Sequence, residues 1–457
     1  MSKFTDFLDK QLSMRMAALS QQRHLIAVRD GVISSLPFII IGSLFLIIAV
    51  PPLPAEWAIT MWAKAHAAQI LIPFRVTMFI MTLYITFGIG YNLAKGYQLD
   101  PLAGGQIAIV ALLLSIAPNI LKLGNSIMAP LIGIDDGTFM GLMMPVGAES
   151  MEEFRKVSEF YLPISNLGGH GLFMGMIVAI ASVEIMRLCK KYNITIKMPP
   201  QVPPSVSRSF EALIPILFVV IIMVMLTLVF GLDLHKLVEH AVAPIVKAGD
   251  SLFGVLIPVF LITFFWSFGI HGVSVVGSLA RPVWEVYLGN NASAIEQGLP
   301  APHVAPETFF QWFVWIGGSG ATVGLVFAML FLARSTYLKT MGRTCFIPSI
   351  FNINEPVIFG TPIVLNRYLI PPFIIVPLIL AGLSYYATVL GFVRPTYAQV
   401  PWTLPAPIGA YLSTGGDWRA VVLVLINIVI SFVMYLPFFK AYDKSLYLEE
   451  KNSSATA

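Results

Sequence analysis

Charge is what this sequence has least of: 28 Lys and Arg with 24 Asp and Glu make only 11% of its 457 residues, while 57% are hydrophobic. A water-soluble globular domain carries about a quarter of its residues as charged side chains, so this chain lacks the means to cover itself against water, and lipid is the solvent for most of it. The mean hydropathy of +0.81 agrees. Cysteine is nearly missing too, with Cys189 beside a basic loop and Cys345 in an apolar run. Two isolated thiols exclude a disulfide framework and a thiolate metal site. No phosphate-binding glycine loop, zinc-ligand spacing or Ser/His/Asp arrangement appears, and nothing in the pattern calls for a metal or a cofactor. The net charge of +4 comes from basic residues gathered in a few loops, so no nucleic-acid partner is needed to account for it.

What is present is a series of long stretches without a charged side chain: Gly31 to Val50, Val76 to Ala94, Pro101 to Leu121, Phe160 to Val183, Ala212 to Phe230, Ser251 to Ala280, Thr308 to Ala333, Tyr368 to Val393 and Ala420 to Phe439. Each is near or above the roughly 20 residues that cross about 30 Å of hydrocarbon. Backbone amides have no water to bond there, and runs this long without alternation exclude barrel strands. The expected fold is therefore all-α, a polytopic membrane protein with about ten transmembrane helices plus re-entrant hairpins in the second half. The amino terminus does not read as a cleavable leader, because the first apolar run begins only at Gly31. Before it, Phe4, Phe7, Leu8, Leu12, Met16 and Leu19 recur at helical spacing among charges, which predicts an amphipathic cytoplasmic helix within residues 1–30.

Basic residues orient the chain. Lys3, Lys10, Arg15, Arg23 and Arg29 precede the first run, and Arg187, Lys190, Lys191, Lys197 and Arg208 follow the fourth with no acid between them. Both places are expected on the cytoplasmic side, and the intervening segment 122–163 is acidic, as the outer side allows. In the second half, Arg334, Lys339 and Arg343 mark another cytoplasmic loop, yet three apolar runs separate it from Arg208, which is the wrong parity. One of them is not a plain span. Ser251 to Ala280 is long enough for a span followed by a re-entrant turn, and Thr344 to Asn366 and Pro395 to Gly416, with prolines at 395, 401, 405 and 407, are also expected to be re-entrant. Irregular backbone at membrane depth survives only where it is buried in protein or lines a wet cavity, so the second half is expected to hold a ligand site. The amphipathic segment 231–250 is the natural boundary between residues 31–230, a scaffold, and 251–440, a substrate-binding part, with 441–457 as a cytoplasmic tail.

Two ionisable groups stand alone in broken apolar segments. Glu355 lies in PSIFNINEPVIFGTP, where an acid at membrane depth costs about 2.5–3.5 kcal/mol to insert. It reads either as a carboxylate capping a broken helix or, with Asn352 and Asn354 beside it, as part of a cluster suited to sugar hydroxyls. His271 stands between Gly269 and Gly272 in FFWSFGIHGVSVVGS, and reads either as a satisfied core histidine or as a ligand group able to hold and polarise a hydroxyl. Trp266 and Trp402 suit stacking on a pyranose ring, and equally suit anchoring at a membrane border. Asn166 and His170 in ISNLGGHGLF are polar groups near the start of the fourth run, with helix capping the plainer role for Asn166.

At these residues the chain resembles the membrane (IIC) subunits of the bacterial sugar phosphotransferase system, in the lactose, cellobiose and diacetylchitobiose family. The matching blocks are IGIDDGTF (132–139), ITIKMPPQVPPSVSRSFEALIP (194–215), FWSFGIHG (265–272), FNINEPVIFG (351–360) and VPWTLPAPIGAYLSTGGDWRA (400–420), which together with similar span spacing cover nearly the whole chain. The resemblance implies a homodimer in the bacterial cell membrane, with both termini cytoplasmic, whose first half forms the interface while the second half carries a β-linked disaccharide across in an elevator-like motion. It implies that His271 and Glu355 hold the sugar near its C6 hydroxyl, with Asn354 and Trp402 as further site candidates. It also implies a phosphocysteine on a cytoplasmic IIB protein as phosphoryl donor, with IIA and HPr upstream. Only about 18 residues follow Phe439, so IIB is expected on a separate polypeptide. His170 departs from the family pattern, where a small or uncharged polar residue is expected, and this leaves the sugar open. A proton-coupled sugar symporter would use the same Glu355 and His271 as a proton relay.

Overall fold

The computed structural model of the chain describes residues 22–51, 53, 56–128, 164–199 and 201–456. Residues 3–21 of the expected amphipathic leader, the acidic segment from residue 129 to 163 and the block 132–139 lie outside the described residues. All regular structure among the described residues is helical. The chain groups into two units, residues 82–242 and residues 1–81 with 243–457.

The larger unit opens with α1, Arg23–Ala49, whose first turn is closed by the Gln22 side chain accepting from the Leu25 N–H at 2.8 Å. Arg29 Nε pairs locally with Asp30 at 2.8 Å, so the turns after Asp30 are free to be apolar. Pro51, directly after the cap residue Val50, prevents the helix from continuing. Gly42 lets the segment around Met78 cross α1 closely, since a Cβ there would stand 2.7 Å from the Met78 Cβ.

The smaller unit is built on α2, Met81–Gly96, α3, Pro101–Met128, α4, Leu172–Lys191, and α5, Pro204–Val224. Small residues set its packing, as expected where lipid offers no hydrophobic drive and close backbone approach supplies the attraction. Gly90 on α2 meets Gly104 and Ala108 on α3, and Gly175 on α4 meets Thr82 and Thr86 on α2, each without room for a Cβ. One buried polar contact ties Ser115 Oγ on α3 to His235 Nε2 at 2.9 Å.

α6, Leu234–Gly249, carries the division between the units, and α7, Leu252–Ser267, follows it at a bend of 77°. α8, Gly272–Glu296, runs back along α7 as a helical hairpin. Gly272 makes the turn possible, because a Cβ would collide with the Ile262 carbonyl of α7. The base of the hairpin is closed by Tyr287 donating to the Val246 carbonyl and by His303 Nδ1 at 3.1 Å from Asp250.

The run Thr308 to Ala333 is not one helix. A short helical stretch, residues 307–314, ends in a loop and resumes as α9, Val323–Leu332. Gly317, Gly318, Gly320 and Ala321 take positive φ in the loop. Its carbonyls are answered by side chains, with Thr322 within the loop donating to Gly317 O at 2.7 Å, Tyr435 to Gly320 O at 2.7 Å and Ser431 to Ala321 O at 2.7 Å, while Asn427 donates to Phe313 O just before it at 2.9 Å. A broken helix inside lipid requires this kind of satisfaction. Beyond it come α10, Thr336–Ile350, α11, Glu355–Gly360, α12, Ile370–Val389, α13, Ala406–Ser413, and α14, Trp418–Thr456.

Among the described residues six helical stretches are long and apolar enough to cross a bilayer, or seven with the bent pair of α6 and α7. The fold is thus a multi-pass all-α membrane protein, and the described helices do not amount to the expected ten or so. Two of the nine apolar runs do not form a single span: Thr308 to Ala333 is split by its loop, and Ser251 to Ala280 is shared between α7, a turn and the start of α8.

Candidate functional site

The two ionisable groups picked from the sequence sit at two chain reversals of the larger unit. His271 is the cap of α8, and its Nδ1 lies 3.1 Å from the Ser274 N–H, which donates to it, and 2.9 Å from Ser274 Oγ. A ring nitrogen that accepts from a backbone N–H carries no proton, so the neutral imidazole holds its proton on Nε2 and offers it as a donor. The residue is exposed. Gly269, at φ +77°, gives the turn before it, and Leu365 N donates to Ser267 O at 3.0 Å, which fixes that turn against the chain leaving α11.

Glu355 opens α11, with Pro356 behind it pre-set for the first helical turn. Its carboxylate is exposed and accepts no hydrogen bond among the described residues. Glu355 and Arg29 of α1 are the charged groups whose fields act on the His271 imidazole. A column of rings joins the two reversals: His271 lies 4.3 Å, centroid to centroid, from Trp266, and Trp266 lies 6.1 Å edge-on from Phe359, one turn after Glu355. Trp266 is only 3% exposed, and its indole N–H has no partner among the described residues.

The two asparagines beside Glu355 are engaged with backbone. Asn352, in the left-handed region at φ +61°, accepts from Gly317 N at 3.0 Å and donates to the carbonyls of Trp402 and Leu404, each at 3.0 Å. Asn354 donates to Ser319 O at 2.6 Å and packs so closely on Gly318 that a Cβ there would overlap its side chain. Together they clamp the α10–α11 reversal to the loop of the broken span and to the segment bearing Trp402. Trp402 itself is half exposed, and so is free to present its ring. A donor, an unoccupied acceptor and exposed aromatic surface on a rigid frame suit a neutral polyol, and the described residues contain no group of side chains able to hold a metal ion.

Comparison with known proteins decides the family. The sequence model described as Phosphotransferase system, EIIC, matches residues 29–377. The chain is 38% identical to the PTS system cellobiose-specific EIIC component of Geobacillus stearothermophilus, over 99% of this chain and 97% of that one. It is 37% identical to the lichenan permease IIC component of Bacillus subtilis, over 99% and 96%. The crystal structure of the transporter ChbC, the IIC component from the N,N'-diacetylchitobiose-specific phosphotransferase system, superposes with a TM-score of 0.84 at 37% identity, covering 97% of this chain and 99% of that one. The chain belongs to the EIIC family.

Within this EIIC chain, His271, Trp266, Asn352, Asn354, Glu355 and Trp402 all fall in the larger unit, whereas Asn166 and His170 fall in the smaller one. Asn166 lies in a helical turn, Ile164–Leu167, and its carbonyl is packed so tightly on Gly171 that no Cβ fits there. His170 is exposed in the next turn. Sequence reasoning passed over Ser274, which fixes the imidazole, Arg29, which brings a cation to it, and the loop Gly317–Gly320 on which both asparagines rest. The loop had a signal, the glycine-rich GGSG inside an apolar run. Ser274 and Arg29 had none beyond their polarity.

Proposed function

We propose that this EIIC chain is the permease of a phosphotransferase system for a β-linked disaccharide of the cellobiose and diacetylchitobiose type, and that it presents the sugar's C6 hydroxyl to a phosphocysteine on a separate IIB protein charged through IIA and HPr. The observation that carries this reading is the complementary pair at the two reversals. His271 offers Nε2–H to a hydroxyl oxygen, and Glu355 offers an unoccupied acceptor to its hydrogen. In the transfer, the C6 oxygen attacks phosphorus, the sulfur–phosphorus bond breaks with the electron pair left on the IIB thiolate, and the hydroxyl proton passes to Glu355. Little covalent work falls to the permease, which acts by positioning. The phosphorylated sugar is retained inside because its new charge opposes return through lipid.

Family membership and the names of the relatives support the substrate class. In this reading Trp402 presents its ring to the sugar's apolar face, Trp266 stands buried behind the His271 ring, Asn354 and Asn352 hold the frame, and Asn166 stands at the entrance. Residues 31–230 form the interface of a homodimer, residues 251–440 move as the transport part of about ten spans with re-entrant hairpins, 231–250 links them, and both termini are cytoplasmic. The test is uptake of labelled cellobiose and diacetylchitobiose into vesicles containing the protein, with and without phosphorylated IIB. Phosphosugar inside only when the donor is present is the expected result. Free sugar accumulating on a pH gradient without donor overturns the proposal in favour of proton-coupled symport.

A further inference from the structure

The larger unit has a cavity that the His271–Glu355 site does not use. It measures about 640 Å³ and is walled by the end of α1 at Val50 and Pro51, the end of α8 at Ile295, the segment 394–397, and the α13–α14 junction with Tyr411 and Trp418. His271 caps the other end of α8, and 23 residues separate Gly272 from Ile295, so the two places are roughly 35 Å apart along the helix. This size lies within the range of small-molecule sites.

Three observations define what the cavity takes. Tyr397 is only 5% exposed, yet its hydroxyl has no hydrogen-bond partner among the described residues and lies against Gly415, where a Cβ would collide with it. Arg394 brings an exposed guanidinium that makes no ion pair or side-chain hydrogen bond among the described residues. The nearby acid, Asp417, is already committed: it accepts from Arg394 N at 2.9 Å and, at 2.9–3.1 Å, from the Nε, Nη2 and backbone N–H of Arg419. No acidic side chain is among the described lining residues. The cavity therefore combines two free donors with the ring surfaces of Tyr397, Tyr411 and Trp418. Hydroxyl-rich ligands with apolar ring faces match this combination, since C–H faces stack on aromatics while oxygens accept from the guanidinium and the phenol. An unpaired inorganic cation is disfavoured by Arg394.

We propose that this cavity is a second glycosyl-binding site, which holds one β-linked disaccharide at the far end of α8 from the transport site. The choice of a β-glycoside as occupant rests on the function proposed above, whereas the cavity's donor and aromatic lining stands independently of it. The test is calorimetric titration of cellobiose into the full-length protein in phospholipid nanodiscs, reading stoichiometry. The expected result is two sugars per chain, falling to one in the double variant His271→Ala, Glu355→Gln. In that background Tyr397→Phe, which removes only the hydroxyl, should weaken the remaining site about tenfold, and adding Arg394→Gln should abolish it. One sugar per chain in the wild type and none in the double variant overturns the second site and leaves the proposed function standing, with lipid then filling the cavity. No binding to the wild type overturns both. A second sugar indifferent to Tyr397→Phe and Arg394→Gln overturns the assignment to this cavity.

Discussion

Glu355 is exposed and accepts no hydrogen bond among the described residues, so its removal touches no packing, whereas the proposed transfer step loses its proton acceptor. Glu355→Gln is expected to lower phosphotransfer by about 100-fold or more, the scale of a positioned general base, with an unchanged thermal unfolding midpoint. An active variant in a phosphosugar assay would return the residue to a capping role. His271 differs because Nδ1 also caps α8: His271→Ala should weaken sugar binding up to about tenfold, the worth of one hydrogen bond, and also cost about 1 kcal/mol of stability through the lost cap. Calorimetry and thermal unfolding separate the two effects. Asn352 illustrates what the sequence hides. Read as a candidate sugar ligand for its amide, it turns out to spend that amide on three backbone groups, and at φ +61° it occupies a conformation that asparagine tolerates better than most residues. Asn352→Ala leaves the buried Gly317 N–H and two carbonyls short of partners, so a loss of roughly 2–4 kcal/mol is expected in unfolding experiments. Polarity in a broken apolar segment points to a site, but it does not tell a residue that faces the ligand from one that holds the frame.

At the scale of elements, the apolar runs were legible because lipid leaves the backbone only the helix, and the breaks were partly legible because proline and glycine mark them. The parity mismatch after Arg208 pointed to Ser251–Ala280, where the chain indeed turns at residues 268–271. The break at residues 315–322 went unread, because Trp312, Phe313 and Ile316 keep that run as hydrophobic as any span, and the side chains that satisfy its carbonyls come from α14, over a hundred residues later. Such long-range satisfaction has no local signature. The start of α10 is similar: Asp443, 4% exposed on α14, accepts from Arg334 N, Ser335 N and Ser335 Oγ at 2.9–3.1 Å. Asp443→Ala strands the buried Ser335 N–H and the half-buried Arg334 N–H, so it should detach α10 from α14. Proteolysis in the 334–343 segment is expected to accelerate, and unchanged cleavage would show that the cap carries no weight.

At the scale of the molecule, composition and block matches led to the EIIC family, and the division into two units is a matter of contacts that a single sequence does not display. The elevator reading makes a demand on those units that thiol chemistry can meet. Both native cysteines, Cys189 and Cys345, are buried, so background labelling is low. Phe359 is 59% exposed beside Glu355 in the larger unit, and Tyr192 is 63% exposed in the smaller one. If residues 251–440 carry the sugar across as a body, as proposed, Phe359→Cys must be reachable by an impermeant maleimide from either side of the membrane over time, and sugar must shift the balance between the sides. Tyr192→Cys, within the proposed scaffold of residues 31–230, must react from one side only. The comparison is internal, since both positions report on one chain in one membrane. One-sided labelling at both positions, with or without sugar, would mean that access to the site changes by gating around it rather than by carriage of it.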